Sequence, residues 1–232
     1  LTRSDVAPLG AVAADGVETQ NRIISTVDRF EGWLADLLNV TKPAQIHAEP
    51  TDVPVWLSGL VEAHRALAQT KGVRLDLDLA NGPRIATVDP RHLEHAVSAI
   101  LSNAIEAAAS SAAKRPDGPG PSVRVQSSTC ETGQDGQRTP TWEIRVIDNG
   151  PGVPPDLRES IFKPYFTTKN DGNGIGLAVA QQVVRAHGGR IDVEDAGTAA
   201  GATGTGSGAA FVLRLPIDGR LAPATEVARI SH

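Results

Sequence analysis

The chain of 232 residues has a single cysteine, Cys130, and no methionine. One thiol excludes an intrachain disulfide framework, which fits a cytosolic setting. No apolar stretch approaches the ~20 residues needed to span a bilayer, and no signal peptide opens the chain. A long basic run is also missing, and the formal net charge is −5. Without clustered Lys and Arg to neutralise phosphates, nucleic acid is not the expected partner. The sequence opens on Leu1, and with no methionine anywhere it reads as an internal fragment of a longer protein.

What is present is an ordinary globular composition, 40% hydrophobic and 21% charged, with length for one good-sized domain and a smaller element. In Arg22 to Val40, the residues Ile23, Val27, Phe30, Leu34 and Leu37 recur at heptad spacing. That seam suits a helical dimerisation stem. Lys42-Pro43 ends the helix, and residues 41 to 51 read as a linker. A helix is expected over Val53 to Lys71, capped by Gly72. Val73, Leu75, Leu77 and Leu79 then alternate with polar residues as a half-buried strand, and a short strand follows at Ile85 to Val88.

Asp89 and Pro90 carry N-cap and first-turn signals for the most informative helix. Its apolar stripe is Leu93, Ala96, Val97, Ile100, Leu101, Ala104, Ile105 and Ala108, with Asn103 on the flank. Val123 to Ser127 and Trp142 to Ile147 read as strands, and Asp148 follows the second directly. Residues 149 to 174 are rich in Gly and Pro, and a loop of that length inside a compact domain is usually functional. A helix from Ile175 to His187 and strands at Arg190 to Glu194 and Ala209 to Leu215 complete the series. The tail from Ile217 reads as frayed or loosely docked. The expected class is α+β, a two-layer sandwich with helices on one face of a mixed sheet. The expected division is a helical stem at 1–46, the main domain at 47–218 and a tail at 219–232.

Three pieces in this order can carry chemistry. Glycines in Gly172-Asn173-Gly174-Ile175-Gly176-Leu177 let backbone N–H groups approach a phosphate at the positive end of a helix. Asp148, followed by Gly150 and Gly152, offers an acceptor for an exocyclic amine such as that of adenine, beside a backbone that can lie against a flat ligand. Asn103 offers a neutral oxygen, suited to Mg2+ already partly neutralised by phosphates. Each alone has a plain structural alternative: a flexible turn, a turn-capping carboxylate, an amide at the edge of the core.

Together they resemble the ATP-binding domain of sensor histidine kinases, within the gyrase/Hsp90/histidine-kinase/MutL superfamily. The resemblance spans about residues 51 to 216. The stretch Asp89-Pro90-Arg91-His92-Leu93 through Leu101-Ser102-Asn103-Ala104-Ile105-Glu106-Ala107 is similar to that family's N box, and Asp148-Asn149-Gly150-Pro151-Gly152 to its first glycine box. Ile161-Phe162-Lys163-Pro164-Tyr165-Phe166-Thr167-Thr168-Lys169 is similar to its F box, and Gly172 through Ala178 to its second glycine box. Ala186-His187-Gly188-Gly189-Arg190-Ile191 and Gly206-Ser207-Gly208-Ala209-Ala210-Phe211 match its C-terminal end. The resemblance implies ATP and Mg2+ as cofactors, with Asn103 holding Mg2+ and Asp148 reading the adenine amine. Gly150 and Gly152 would shape the adenine pocket, and Gly174, Gly176 and Leu177 would lie at the phosphates. Residues 153 to 173 would form a lid, anchored by Phe162 and Phe166, from which Lys163, Thr167, Thr168 or Lys169 could reach a phosphate. It further implies a homodimer through the stem, a response-regulator receiver domain as partner, and a cytoplasmic location, as a soluble protein or as the cytoplasmic part of a membrane-anchored sensor.

Two positions depart from the pattern. Ala99 stands where the family has a polar residue four before the metal-binding Asn, and alanine cannot accept a proton. Arg3 stands where the acceptor histidine would precede Pro8-Leu9, and a guanidinium cannot attack a phosphoryl group. His64, His92, His95 and His187 read as surface or capping residues, not as replacements. The readings left open are a histidine kinase core, a dimeric nucleotide-binding pseudokinase, and a related ATPase or serine kinase.

Overall fold

A computed structural model describes residues 46–112, 120–132, 139–169, 172–198 and 208–219. The stem helix expected at 22–40, Arg3 and the tail from 220 lie outside the described residues.

The elements run β1 (Glu49–Asp52), α1 (Val53–Ala63), α2 (Arg65–Thr70), β2 (Arg74–Asn81), β3 (Ile85–Val88), α3 (Pro90–Ala112), β4 (Ser122–Thr132) and β5 (Thr139–Asp148). They continue with α4 (Gly176–Ala186), β6 (Arg190–Asp195) and β7 (Ala209–Pro216). Strands β1 and β3 form an antiparallel pair, and the main sheet has the order β2-β4-β5-β7-β6. Only the β2–β4 pairing in it is parallel, so the sheet is mixed, as expected.

Alternation along the strands sends one face of the sheet into the core. Trp142, Ile144 and Val146 of β5 and Phe211, Leu213 and Leu215 of β7 are buried with Leu93, Val97, Ile100, Leu101 and Ile105 of α3 and Val179 and Val183 of α4. This is the two-layer sandwich, and every member of the α3 stripe read from the sequence is completely buried. The indole N–H of Trp142 donates to Ser127 Oγ at 2.9 Å, so the largest core side chain leaves no polar atom unpaired.

The helix expected over 53–71 is broken at His64. The His64 ring Nδ1–H donates to Leu60 O at 2.9 Å, while its backbone N–H turns to Val61 O at 3.1 Å. The side chain thus takes the carbonyl that would have continued the helix. Gly72 (φ +67°) does cap α2, with Val73 N–H on Ala68 O and Gly72 N–H on Gln69 O. The β4–β5 hairpin is longer than its apolar pattern suggests, in register from Val123 opposite Asp148 to Thr132 opposite Thr139. Its outer pairs are polar and carry no alternation signal. Ile217 is docked, not frayed: its carbonyl accepts from Thr87 N–H at 2.9 Å. Among the described residues no helix is long and apolar enough to cross a membrane.

Candidate functional site

The site is assembled on one flank of α3. Its N-terminus is fixed by Asp89, which is buried and caps the helix: Oδ1 accepts from Arg91 N–H at 3.2 Å and His92 N–H at 3.1 Å. Oδ2 accepts from the His92 ring at 2.8 Å and from His47 N–H at 2.9 Å, tying the incoming chain to the same point. Burial pushes the Asp89 carboxyl up, but the His47 and His92 hydrogen bonds outweigh it and hold it below its ordinary value.

His187 was expected at the surface or as a cap. It does end α4, but it is only 2% exposed. Its Nδ1–H donates to Val183 O at 2.8 Å, which fixes the tautomer and leaves Nε2 to accept from Asp89 N–H at 3.0 Å. Burial lowers its pKa. His187 therefore bolts the end of α4 to the start of α3. His92 likewise serves Asp89, and neither is placed for chemistry.

Two glycine-bearing turns converge further along α3. Gly150 lies so close to it that a Cβ there would come within 2.9 Å of the Ala107 backbone. Gly176, at the start of α4, approaches from the other side: a Cβ on it would stand 3.5 Å from the Cβ of Ala99. Gly174 has φ +66°, and a Cβ would meet Tyr165 C at 2.5 Å and Phe166 O at 2.7 Å. Only glycine allows that turn to pass under the loop. The sequence pieces at 99–107, 148–152, 165–169 and 172–176 are thus brought together, with Asn103 between them. Gly152 (φ +78°) turns the chain beside Gly208.

Asp148 ends β5 on the same face as Trp142, Ile144 and Val146, so alternation aims its carboxylate into the helix layer. It is 3% exposed. Oδ1 accepts from Gly150 N–H at 2.8 Å and Ala209 N–H at 3.4 Å. Both hydrogen bonds it accepts from described residues use Oδ1, which leaves Oδ2 for a ligand. Desolvation dominates the two N–H bonds and raises its pKa to about 6. Asn149 pins the loop: its side chain accepts from Ser122 N–H and donates to Gly120 O, each at 2.9 Å.

The start of α4 has no side-chain cap, so its first N–H groups are open to an anion. Asn173 Oδ1 accepts from Ile175 N–H at 3.2 Å and shapes the turn before it. Leu177 is half-buried in the first turn and packs on the core. Of the two lid aromatics, Phe162 is buried and stacks edge-on against Phe211 at 6.5 Å, whereas Phe166 is only half-buried. Tyr165 stands 59% exposed with φ +66°.

From the lid, Lys169 reaches the polar flank of α3: its Nζ lies 2.5 Å from both Asn103 Oδ1 and Glu106 Oε2. Glu106 was missed as a site residue because a glutamate on the polar flank of a helix carries no signal of its own. Only its spacing of one turn from Asn103 could have indicated it. The Asn103 amide oxygen already attracts a cation, and a neutral oxygen of that kind suits a hard ion. Among the described residues there is no group of three or more metal-ligating His, Cys, Asp or Glu side chains.

This sandwich, with its helices on one face of a mixed sheet, is the fold of histidine-kinase catalytic domains. The family model for histidine kinase-, DNA gyrase B- and HSP90-like ATPases matches residues 88–219, more than half of the chain, and the chain belongs to that family. Sensor histidine kinase ZraS of Salmonella typhi is 30% identical over 193 residues, covering 83% of this chain and 36% of that protein. Signal transduction histidine-protein kinase AtoS of Escherichia coli (strain K12) is 30% identical over 200 residues, covering 84% of this chain and 28% of that protein. Among solved structures, the mycobacterial sensor histidine kinase MprB aligns with a TM-score of 0.57 at 26% identity, over 75% of this chain and 99% of that one. The chain spans about a third of the length of the curated relatives it matches.

Proposed function

We propose that residues 47–218 are the ATP-binding catalytic core of a two-component sensor histidine kinase, which passes the γ-phosphoryl group of ATP to a histidine and then to a response-regulator aspartate. The observation that carries this reading is the convergence of the Asp148, Gly174–Gly176 and Asn103 segments on one helix flank. Asp148 Oδ2 accepts the adenine amine, and Gly150 and Gly152 let the base lie against backbone. The open N–H groups of α4, with Gly174, Gly176 and Leu177 around them, receive the phosphates, and Lys169 is the lid cation within reach. Asn103 Oδ1 holds Mg2+, which when bound neutralises charge on the transferring group. What remains for the protein is positioning and exclusion of water, which is most of phosphoryl-transfer catalysis. The partners in this reading are a receiver domain and a second copy joined through the stem at 1–46. Its location is cytoplasmic, including the cytoplasmic part of a membrane-anchored sensor.

A second reading, a nucleotide-binding module without phosphotransfer, is favoured by Ala99. The residue faces Gly176 and so the phosphate turn, where it supplies neither a proton acceptor nor a hydrogen bond. Two measurements separate these readings. Calorimetric titration with Mg-ADP should give binding at or below ~100 µM; no heat well above that concentration would remove the nucleotide site. Incubation with γ-labelled ATP should leave acid-labile, base-stable label on protein histidine. Binding without label selects the regulatory module.

A further inference from the structure

Glu106 enters the site from outside the glycine motifs. It follows Asn103 by one turn of α3, so the two side chains share a flank. The Lys169 ammonium lies against both, 2.5 Å from the amide oxygen and 2.5 Å from the carboxylate. The Asn103 oxygen is the proposed Mg2+ ligand, and its lone pairs cannot serve an ammonium and a coordinated metal in the same direction. Lys169 is attached to a lid that reaches the core through Phe162, so its cation is tethered, whereas the metal arrives with the nucleotide.

We propose that Glu106 is a positioning residue of the nucleotide site: it parks the Lys169 ammonium on the Asn103 amide oxygen, so that a tethered monocation holds the divalent-cation position until Mg-nucleotide displaces it. This rests on the reading of Asn103 as the metal-binding residue. The pairing has two consequences. In the nucleotide-free state the base of the lid is fastened to α3, and Mg-nucleotide must break that fastening to bind. Once displaced, the ammonium is set free beside the phosphates, so the metal and the lid lysine are exchanged at one oxygen. Glu106 touches neither nucleotide nor metal in this scheme and acts through Lys169.

The test is a double-mutant cycle of Glu106→Gln and Lys169→Met, read as ADP affinity by calorimetry in excess Mg2+ and again in EDTA. The cycle cancels the direct effect of each charge on the phosphates and leaves the coupling between the two residues. Both side chains are about half exposed, so neither change disturbs the core. In Mg2+, E106Q should strengthen ADP binding about threefold more in the wild-type background than in K169M, within the range of half-exposed ion pairs. In EDTA, where nothing claims the Asn103 oxygen, that coupling should fall below about 1.5-fold. Hydrogen exchange supplies a readout independent of affinity. Amides of residues 163–169 should exchange faster in E106Q than in the wild type without nucleotide, and equally in both with Mg-ADP. An additive cycle in Mg2+, the same coupling in both buffers, or equal exchange without nucleotide would each overturn the proposal. Failure of the wild-type protein to bind Mg-ADP at all would instead remove the reading on which it rests.

Discussion

Helices α3 and α4 begin in opposite ways. The start of α3 is sealed: Asp89 occupies it with four hydrogen bonds to its carboxylate, and His187 accepts the Asp89 N–H from behind. The start of α4 follows a glycine turn and has no side-chain cap. The buried aspartates follow the same division. Asp89 is saturated with donors, and its pKa is lowered. Asp148 receives two N–H groups on one oxygen, and its pKa is raised to about 6. A carboxylate surrounded by donors is held charged, whereas one with few donors carries an unfavourable charge that a further donor would relieve. The difference separates scaffold from site more sharply than burial does, since both residues are nearly inaccessible.

The largest effect should come from the sealed end. Asp89→Ala removes the cap and leaves buried N–H groups without partners, a loss of about 3 kcal/mol in denaturant unfolding. Its Mg-ADP affinity, measured well below the melting temperature, should stay within about threefold of wild type. A large loss of affinity at unchanged stability would erase the contrast between the two regions.

Asp148→Asn should do the reverse. The amide oxygen can keep the Gly150 N–H, while the nitrogen opposes the adenine amine, so ADP affinity should fall at least about tenfold. Relief of the buried charge should raise stability at pH 7 by about 2 kcal/mol. A variant that binds normally would sink the assignment of Asp148 to the adenine.

The smallest effect is a difference in pH slope. The raised pKa of Asp148 means that the folded state holds the proton more tightly than the unfolded chain. Its favourable contribution is complete below the ordinary value of 3.8 and is lost as pH rises through about 6. Asp89, with a lowered pKa, stabilises above 3.8 and loses that contribution as pH falls. His187 acts in the same direction as Asp89, since its pKa is lowered from 6.5 and its support weakens as pH drops below that value. Stability against pH in wild type and Asp148→Asn should therefore diverge upward from pH 4 to 6. ADP affinity should weaken below about pH 6 in the wild type, by up to about tenfold per unit. Parallel stability curves would show that Asp148 carries no such charge cost.

Much of this was legible before any coordinate. The period of α3 exposed its buried stripe because an apolar face has to repeat as the helix turns, and the Gly72 cap was legible for a similarly local reason. The order Asn103, Asp148, Gly174 was readable as a family resemblance because glycine and carboxylate are demanded by local geometry. The break at His64 and the polar outer pairs of the β4–β5 hairpin were not legible, and the docking of Ile217 was only one of two readings. Each depends on a partner that sequence spacing does not reveal.

The sequence by itself therefore determined most of the elements, the class of fold and the glycine and carboxylate positions of the candidate site, since all three follow from short-range periodicity and backbone freedom. Only the tertiary structure decided what each polar group is for. It made His187 a buried bolt on Asp89, left Asp148 under-solvated at a strand end, and set Lys169 across Asn103 and Glu106. A group's charge and availability depend on which donors and acceptors the fold brings to it, and beside the local ones stand partners from tens of positions away along the chain, as with Asp89 and His187 or Lys169 and Asn103.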